Sequence, residues 1–191
     1  HRETGLNKYR LAADKIKNAL KTYPRTSDGG FWHTTSFAGQ LWLDGTFMAL
    51  PFLVRYGKMY GAIPSSFNEA VNQLLIYAAH LKHLSNGLLY HAYDEQGDTP
   101  WANPVSRHSP EFWGRSIGWY GMALIDVLDI IPASHPRRPA LVALVQGLVA
   151  ALARFQDPAT GRWYQVVDKG SLSGNWLETS CSCMFTYVIS R

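Results

Sequence analysis

Three short stretches of this chain place a charged residue two positions after a tryptophan: Trp42-Leu43-Asp44-Gly45, Trp113-Gly114-Arg115-Ser116 and Trp176-Leu177-Glu178-Thr179. A carboxyl group such as that of Asp44 can give a proton and take one back, the work of a general acid and base. The planar guanidinium of Arg115 suits bidentate binding of a carboxylate or of neighbouring hydroxyls. Flat tryptophan faces suit the C–H surface of a sugar ring, and Trp42, Trp113 and Trp119 are the candidates. His33 and His91 stand at matching places ahead of the first two stretches. Each residue also has a plainer use. Asp44 could satisfy free amides at a helix start, Arg115 could pair with Glu111, and the histidines could be satisfied core groups. Trp113 and Trp119, six residues apart, cannot share one helix face closely, so one of them would be core. Asp94, near Gly97, reads as a solvated loop acid outside the catalytic set.

Composition narrows the chemistry. The chain has 191 residues, 47% hydrophobic and only 17% charged, which excludes an extended disordered state. A net charge of +4 without a long basic run is too thin for a nucleic-acid binder but fits a small anionic ligand. Aromatics at 13%, seven of them Trp, favour a cleft walled by flat apolar faces. Cys181 and Cys183 form no CxxC or Cys/His pattern. They read as small buried apolar residues, point to a reducing compartment, and leave no metal or organic cofactor expected. The longest apolar run, 139–153, is broken by Gln146 and is shorter than the roughly 20 residues of a spanning helix, so no membrane partner is expected.

Hydrophobic spacing predicts six helices: Leu6 to Tyr23, ended by Pro24; Trp42 to Tyr60, apolar nearly all round and kinked at Pro51; a third from Pro64 through Leu81; Phe112 to Ile131; Pro139 to Phe155; and Trp176 to Ile189. One-faced and all-round helices alternate three times. A glycine-started aromatic segment separates the members of each pair, at Gly30 to His33, Gly87 to His91 and Gly161 to Gln165. Such self-similarity means an array of helical hairpins, each burying its neighbour's face. In a ring of hairpins the inner helices all begin at one rim, which would bring Asp44, Arg115 and Glu178 to one mouth. The fold class is therefore all-α, about three hairpins of a toroid. The chain opens on His1 and stops at Arg191 inside an apolar pattern, so residues 1–191 are expected to be a single partial barrel domain cut at both ends.

Longer motifs carry a resemblance. Gly29-Gly30-Phe31-Trp32-His33, then Gln40-Leu41-Trp42-Leu43-Asp44-Gly45 with Met48 and Pro51-Phe52, is similar to the unsaturated rhamnogalacturonyl hydrolases of glycoside hydrolase family 105. So are Phe112 to Trp119 followed by Met122, and Glu178-Thr179-Ser180 with Met184-Phe185. The order matches across the whole chain. Family 88, the unsaturated glucuronyl hydrolases, shares the core from Asp44 to Pro51 but fits the flanks less well. The resemblance implies an (α/α)6 barrel in the cytoplasm, acting on lyase-made oligosaccharides, as in pectin breakdown, that carry a 4,5-unsaturated uronic acid at the non-reducing end. It also implies Asp44 as general acid/base, with His33, Trp42, His91, Trp113, Arg115 and Trp119 at sugar-contacting positions. A further acid of the family's pocket lies on an earlier helix outside this chain. Thr34 stands where relatives commonly have Lys, and Phe37-Ala38-Gly39 replaces a usual Tyr-Pro, so sugar preference is open at these points.

The implied chemistry is economical in residues. The C4=C5 bond of an unsaturated uronate is a vinyl ether, so one carboxyl group can protonate C4 and then accept a proton from the water that adds at C5. An ordinary glycosidase needs two carboxyl groups flanking the bond. Rival readings are an unsaturated glucuronyl hydrolase, a sugar epimerase using His33 and His91 as its acid–base pair, and a non-catalytic sugar-binding toroid.

Overall fold

A computed structural model of the chain describes residues 3–191. The elements in chain order are α1 (Asn7–Lys21), β1 (Gln40–Trp42), α2 (Asp44–Tyr60), α3 (Ile63–Leu81), β2 (Ala92–Asp94), α4 (Gly114–Leu128), α5 (Arg138–Arg154) and α6 (Thr179–Ser190). The helices fall where the periodicity places them, within a few residues at each end. α2 is one continuous helix through the buried Pro51, which forgoes a single backbone hydrogen bond. Pro64 lies in the first turn of α3, where its missing amide costs nothing.

The helices form two layers. α2 packs on α4 and α4 on α6, making an inner row, while α3 and α5 lie behind them and against each other. The sequence contains the reason. α4 is buried along most of its length, from Gly114 and Ile117 to Leu124 and Val127, and its glycines let α6 come close. A Cβ on Gly118 would stand 2.6 Å from Met184 Sδ, and one on Gly121 would stand 2.7 Å from Val188 Cγ2. Two fully buried tyrosines tie the core, Tyr120 of α4 joining the layers by donating to the Leu74 carbonyl of α3 at 2.7 Å and Tyr77 of α3 holding the rim segment by donating to the Phe31 carbonyl at 2.7 Å. Burial raises the pKa of both phenols, so they remain donors. α1 is attached more loosely. Arg10 lies over the Tyr60 ring and pairs with Asp14, which accepts from the Tyr56 hydroxyl, while Tyr9, Leu11 and Ile16 stay half exposed.

Each glycine-started segment is a turn that delivers the chain to the rim. Gly29, Gly87 and Gly161 all have φ between 68° and 97°, the left-handed region that glycine enters freely. Their amides donate to the carbonyls of Thr26, His83 and Asp157. In the first repeat the turn residue is thus Gly29 rather than Gly30.

Candidate active site

The rim is a chain of short backbone ladders. β1 and β2 pair antiparallel with Gln40 opposite Asp94, Leu41 opposite Tyr93 and Trp42 opposite Ala92. The next hydrogen bond, Leu43 N–H to the His91 carbonyl at 3.1 Å, sets the start of α2 beside His91. Isolated bridges continue the pattern from Tyr93 to His108, Trp113 to Val166 and Tyr164 to Leu177. Trp42 therefore ends a strand instead of opening a helix, and Asp44 is the first residue of α2.

This register brings most of the sequence-derived candidates together. Asp44 Oδ2 is 3.5 Å from His91 Nε2, with the two side chains 20% and 22% exposed. Both atoms are buried and neither has a hydrogen-bond partner. Trp42 stacks on His33 with ring centroids 4.6 Å apart and on Phe37 at 5.3 Å, and donates its indole N–H to Gln40 Oε1. His91 meets Trp42 edge-on and Trp113 edge-on, each at 5.0 Å. Arg115 lies over the Trp113 ring. Trp119 stands apart from this group, roughly 9 Å further along α4 by helix rise, against Phe47 of α2 at 4.8 Å.

The electrostatics follow from burial. His33 is pressed against the first turn of α2, where a Cβ on Gly45 would be 3.4 Å from its Nδ1. Burial depresses its pKa, the Asp44 carboxylate pulls the other way, and His91 adds to the depression. Its ring is neutral at neutral pH, and its Nδ1 is also buried without a partner. Three unspent polar atoms, on His33, Asp44 and His91, thus converge behind one aromatic wall. Unmade hydrogen bonds of this kind cost about 1–3 kcal/mol each, and such strain collects at functional sites.

Glu178 does different work. Its carboxylate accepts from Ser180 N–H at 2.9 Å, Cys181 N–H at 2.7 Å and the Ser180 hydroxyl at 2.8 Å, capping α6. Burial pushes its pKa up, but the hydrogen bonds from Cys181 and Ser180 outweigh that and hold it low. Glu178 therefore reaches the mouth beside Arg115, but its carboxylate is spent on helix amides. Arg115 has Glu178 at 3.6 Å, not Glu111, which pairs with Lys169 at 2.6 Å.

Other expectations change. Asp94 is fully buried, not solvated, and accepts from Gln96 N–H, Thr99 N–H and the Thr99 hydroxyl. Cys181 is buried, with its thiol pushed up to about 12 by burial and then by Glu178, but Cys183 is exposed. Residue-by-residue reading also missed Trp101, which meets Trp42 edge-on at 6.4 Å. Its only signal is a lone large aromatic in the polar, turn-rich stretch 94–107. Among the described residues no three His, Cys, Asp or Glu side chains gather where they could hold a metal ion, and no helix is long and apolar enough to cross a membrane.

Comparison with known proteins places these features. All of residues 1–191 match the sequence model of Glycosyl Hydrolase Family 88. Over 147 residues, 75% of the chain, it is 39% identical to Protein Atu3128 of Agrobacterium fabrum, covering 60% of that protein. It is 28% identical to Unsaturated rhamnogalacturonyl hydrolase YesR of Bacillus subtilis over 189 residues, 95% of the chain and 51% of that protein. Among solved structures, a family 105 glycoside hydrolase from C. acetobutylicum superposes with a TM-score of 0.95 at 42% identity, over 98% of this chain and 52% of that one. The chain thus spans about half the length of such relatives, and its two helical layers are part of an (α/α)6 toroid.

Proposed function

The chain belongs to Glycosyl Hydrolase Family 88, and from that premise we propose that it carries the acid–base half of a site removing 4,5-unsaturated uronic acids from the non-reducing ends of oligosaccharides. One observation carries the reading: Asp44 Oδ2 is buried at an aromatic-walled rim, without a hydrogen-bond partner, 3.5 Å from His91 Nε2. Of the carboxylates in the three repeated motifs, Glu178 is consumed by its helix and Asp44 is not.

In the reaction, protonated Asp44 delivers its proton to C4 of the substrate. The C4=C5 π electrons form the new C–H bond, and the ring oxygen shares the positive charge left at C5. The Asp44 carboxylate then takes a proton from water as the water oxygen bonds to C5. The hemiketal so formed opens to a C5 ketone, leaving at C1 a hemiacetal that expels the second sugar as its alcohol. One water is consumed and the carboxyl group ends protonated, as it began. His33, kept neutral by burial, and His91 flank the carboxyl group, and their ring nitrogens can exchange hydrogen bonds with it as its charge changes. Arg115, beside Trp113, is placed to bind the uronate carboxylate through its two-pronged fork. Trp42 and Trp113 supply sugar-facing rings, and Trp119 a deeper one.

The finer assignment, to rhamnogalacturonan fragments, draws support from the likeness to YesR. The test uses ultraviolet absorbance, which the substrate's double bond gives and hydration removes. Full-length protein should bleach a lyase-made unsaturated uronyl-rhamnose disaccharide faster than an unsaturated glucuronyl one, and Asp44→Asn should bleach neither. Near wild-type bleaching by Asp44→Asn would overturn the role given to Asp44. Faster bleaching of the glucuronyl disaccharide would overturn the sugar assignment.

A further inference from the structure

Beyond Trp42 and His91, on the side of the 95–110 loop, lies a second pocket of about 200 Å³, walled by Trp42, His91, Trp101, Ser109, Pro110 and Glu111. That is smaller than the roughly 300–1,000 Å³ sites that enclose drug-sized ligands, and of the scale of one monosaccharide ring. We propose that this pocket binds the sugar next to the unsaturated uronate, with Trp101 as its specificity-determining wall. The inference rests on the proposed function, because it assigns the neighbouring position of the same site.

Three observations support it. The pocket shares two walls with the Asp44 site, Trp42 and His91, and His91 Nε2 lies 3.5 Å from Asp44 Oδ2, so the two positions are neighbours. Its charge selects a neutral ring. Glu111 is its one acid, already matched by Lys169 at 2.6 and 2.8 Å, and its lining holds no lysine or arginine to attract a second carboxylate. Finally, the loop that carries Trp101 is tethered by its own hydrogen bonds, and the Trp101 ring meets Trp42 edge-on. Asp94, fully buried, binds Thr99 through both amide and hydroxyl, and Ala102 N–H donates to the Thr99 carbonyl. Further on, Asn103 and His108 close the loop through backbone hydrogen bonds, and Arg107 reaches back to the Glu95 carbonyl. Arg107 has φ 62°, a left-handed conformation that costs a non-glycine residue of order 1 kcal/mol or more. An aromatic ring carried on a tethered loop loses less freedom when ligand stacks on it.

Asp94 and Thr99 are positioning residues in this scheme, acting through Trp101. The test compares two substrates with the same unsaturated uronate, a disaccharide and its methyl glycoside, in the full-length protein. Trp101→Ala should raise KM for the disaccharide about tenfold more than for the methyl glycoside, the factor that ~1.4 kcal/mol produces. Trp101→Phe should recover part of the ratio. Thr99→Val, which removes one hydrogen bond into Asp94, should shift it in the same direction by less, with kcat on the methyl glycoside retained. An equal rise for both substrates would mean that Trp101 merely props Trp42, and an unchanged ratio would mean that the pocket is empty in catalysis. Either result overturns the inference alone. Failure of the wild type to turn over either glycoside would remove the functional reading beneath it, and the inference with it.

Discussion

Asp44 and Glu178 occupy matching places in two repeats, yet exchanging each for a neutral residue should have opposite consequences. In Asp44→Asn the helix loses a favourable first-turn charge, worth about 0.3–1 kcal/mol. The isosteric amide keeps a polar atom where the partnerless carboxylate oxygen stood, so little is gained or lost there. Stability should therefore fall by no more than about 1 kcal/mol, while turnover falls by roughly 10²–10⁴ with the loss of the proton donor. In Glu178→Ala the α6 cap disappears and the buried Cys181 amide is left without its 2.7 Å acceptor. Cap removal costs typically ~1 kcal/mol and an orphaned buried amide as much again, so a loss of about 2 kcal/mol is expected. Turnover should fall far less, through the 3.6 Å contact with Arg115. Urea titration followed by tryptophan fluorescence, at pH 7.5 in the full-length protein, reads the first quantity. Ultraviolet bleaching of the substrate reads the second. If Asp44→Asn lost 2 kcal/mol of stability while Glu178→Ala lost none, Asp44 would be the cap-like acid and the division of labour drawn here would be wrong.

Three further outcomes are expected. His33 has a depressed pKa, so below the ordinary value of 6.5 the unfolded chain binds a proton that the folded chain refuses; stability should fall as pH drops through that value, and thermal scans from pH 7.5 to 5.5 should show a shallower fall in His33→Gln. Gly118→Ala places a methyl 2.6 Å from Met184 Sδ and 2.7 Å from its Cβ, and overpacking of this kind should cost about 1–3 kcal/mol in urea titration; no loss would mean that α4 and α6 can part cheaply. The Cys181 thiol, held near 12 and buried, should resist iodoacetamide at pH 8 while the exposed Cys183 alkylates, as peptide mass spectrometry would read; prompt labelling of Cys181 in folded protein would show that the start of α6 opens readily.

The helices were legible because each buries one stripe or its whole circumference, and that demand writes itself into the sequence every three or four residues. The repeated tryptophan–charge motifs gave Asp44, Arg115 and Trp113 for the same reason, since a repeat of fold is also a repeat of place. The strands β1 and β2 were invisible, being three residues long and shorter than any period that could announce them. Yet their pairing puts His91 beside Asp44 across a sequence gap, and no local pattern encodes a register between distant segments. The different fates of Asp44 and Glu178 were equally hidden. Whether a carboxylate at a helix start folds back onto its own amides or projects beside a histidine depends on the backbone angle entering the helix. That angle is extended at Glu178 and already helical at the residue before Asp44. Composition and spacing thus determined which groups reach the rim, while tertiary hydrogen bonding decided which were left unspent there to do chemistry.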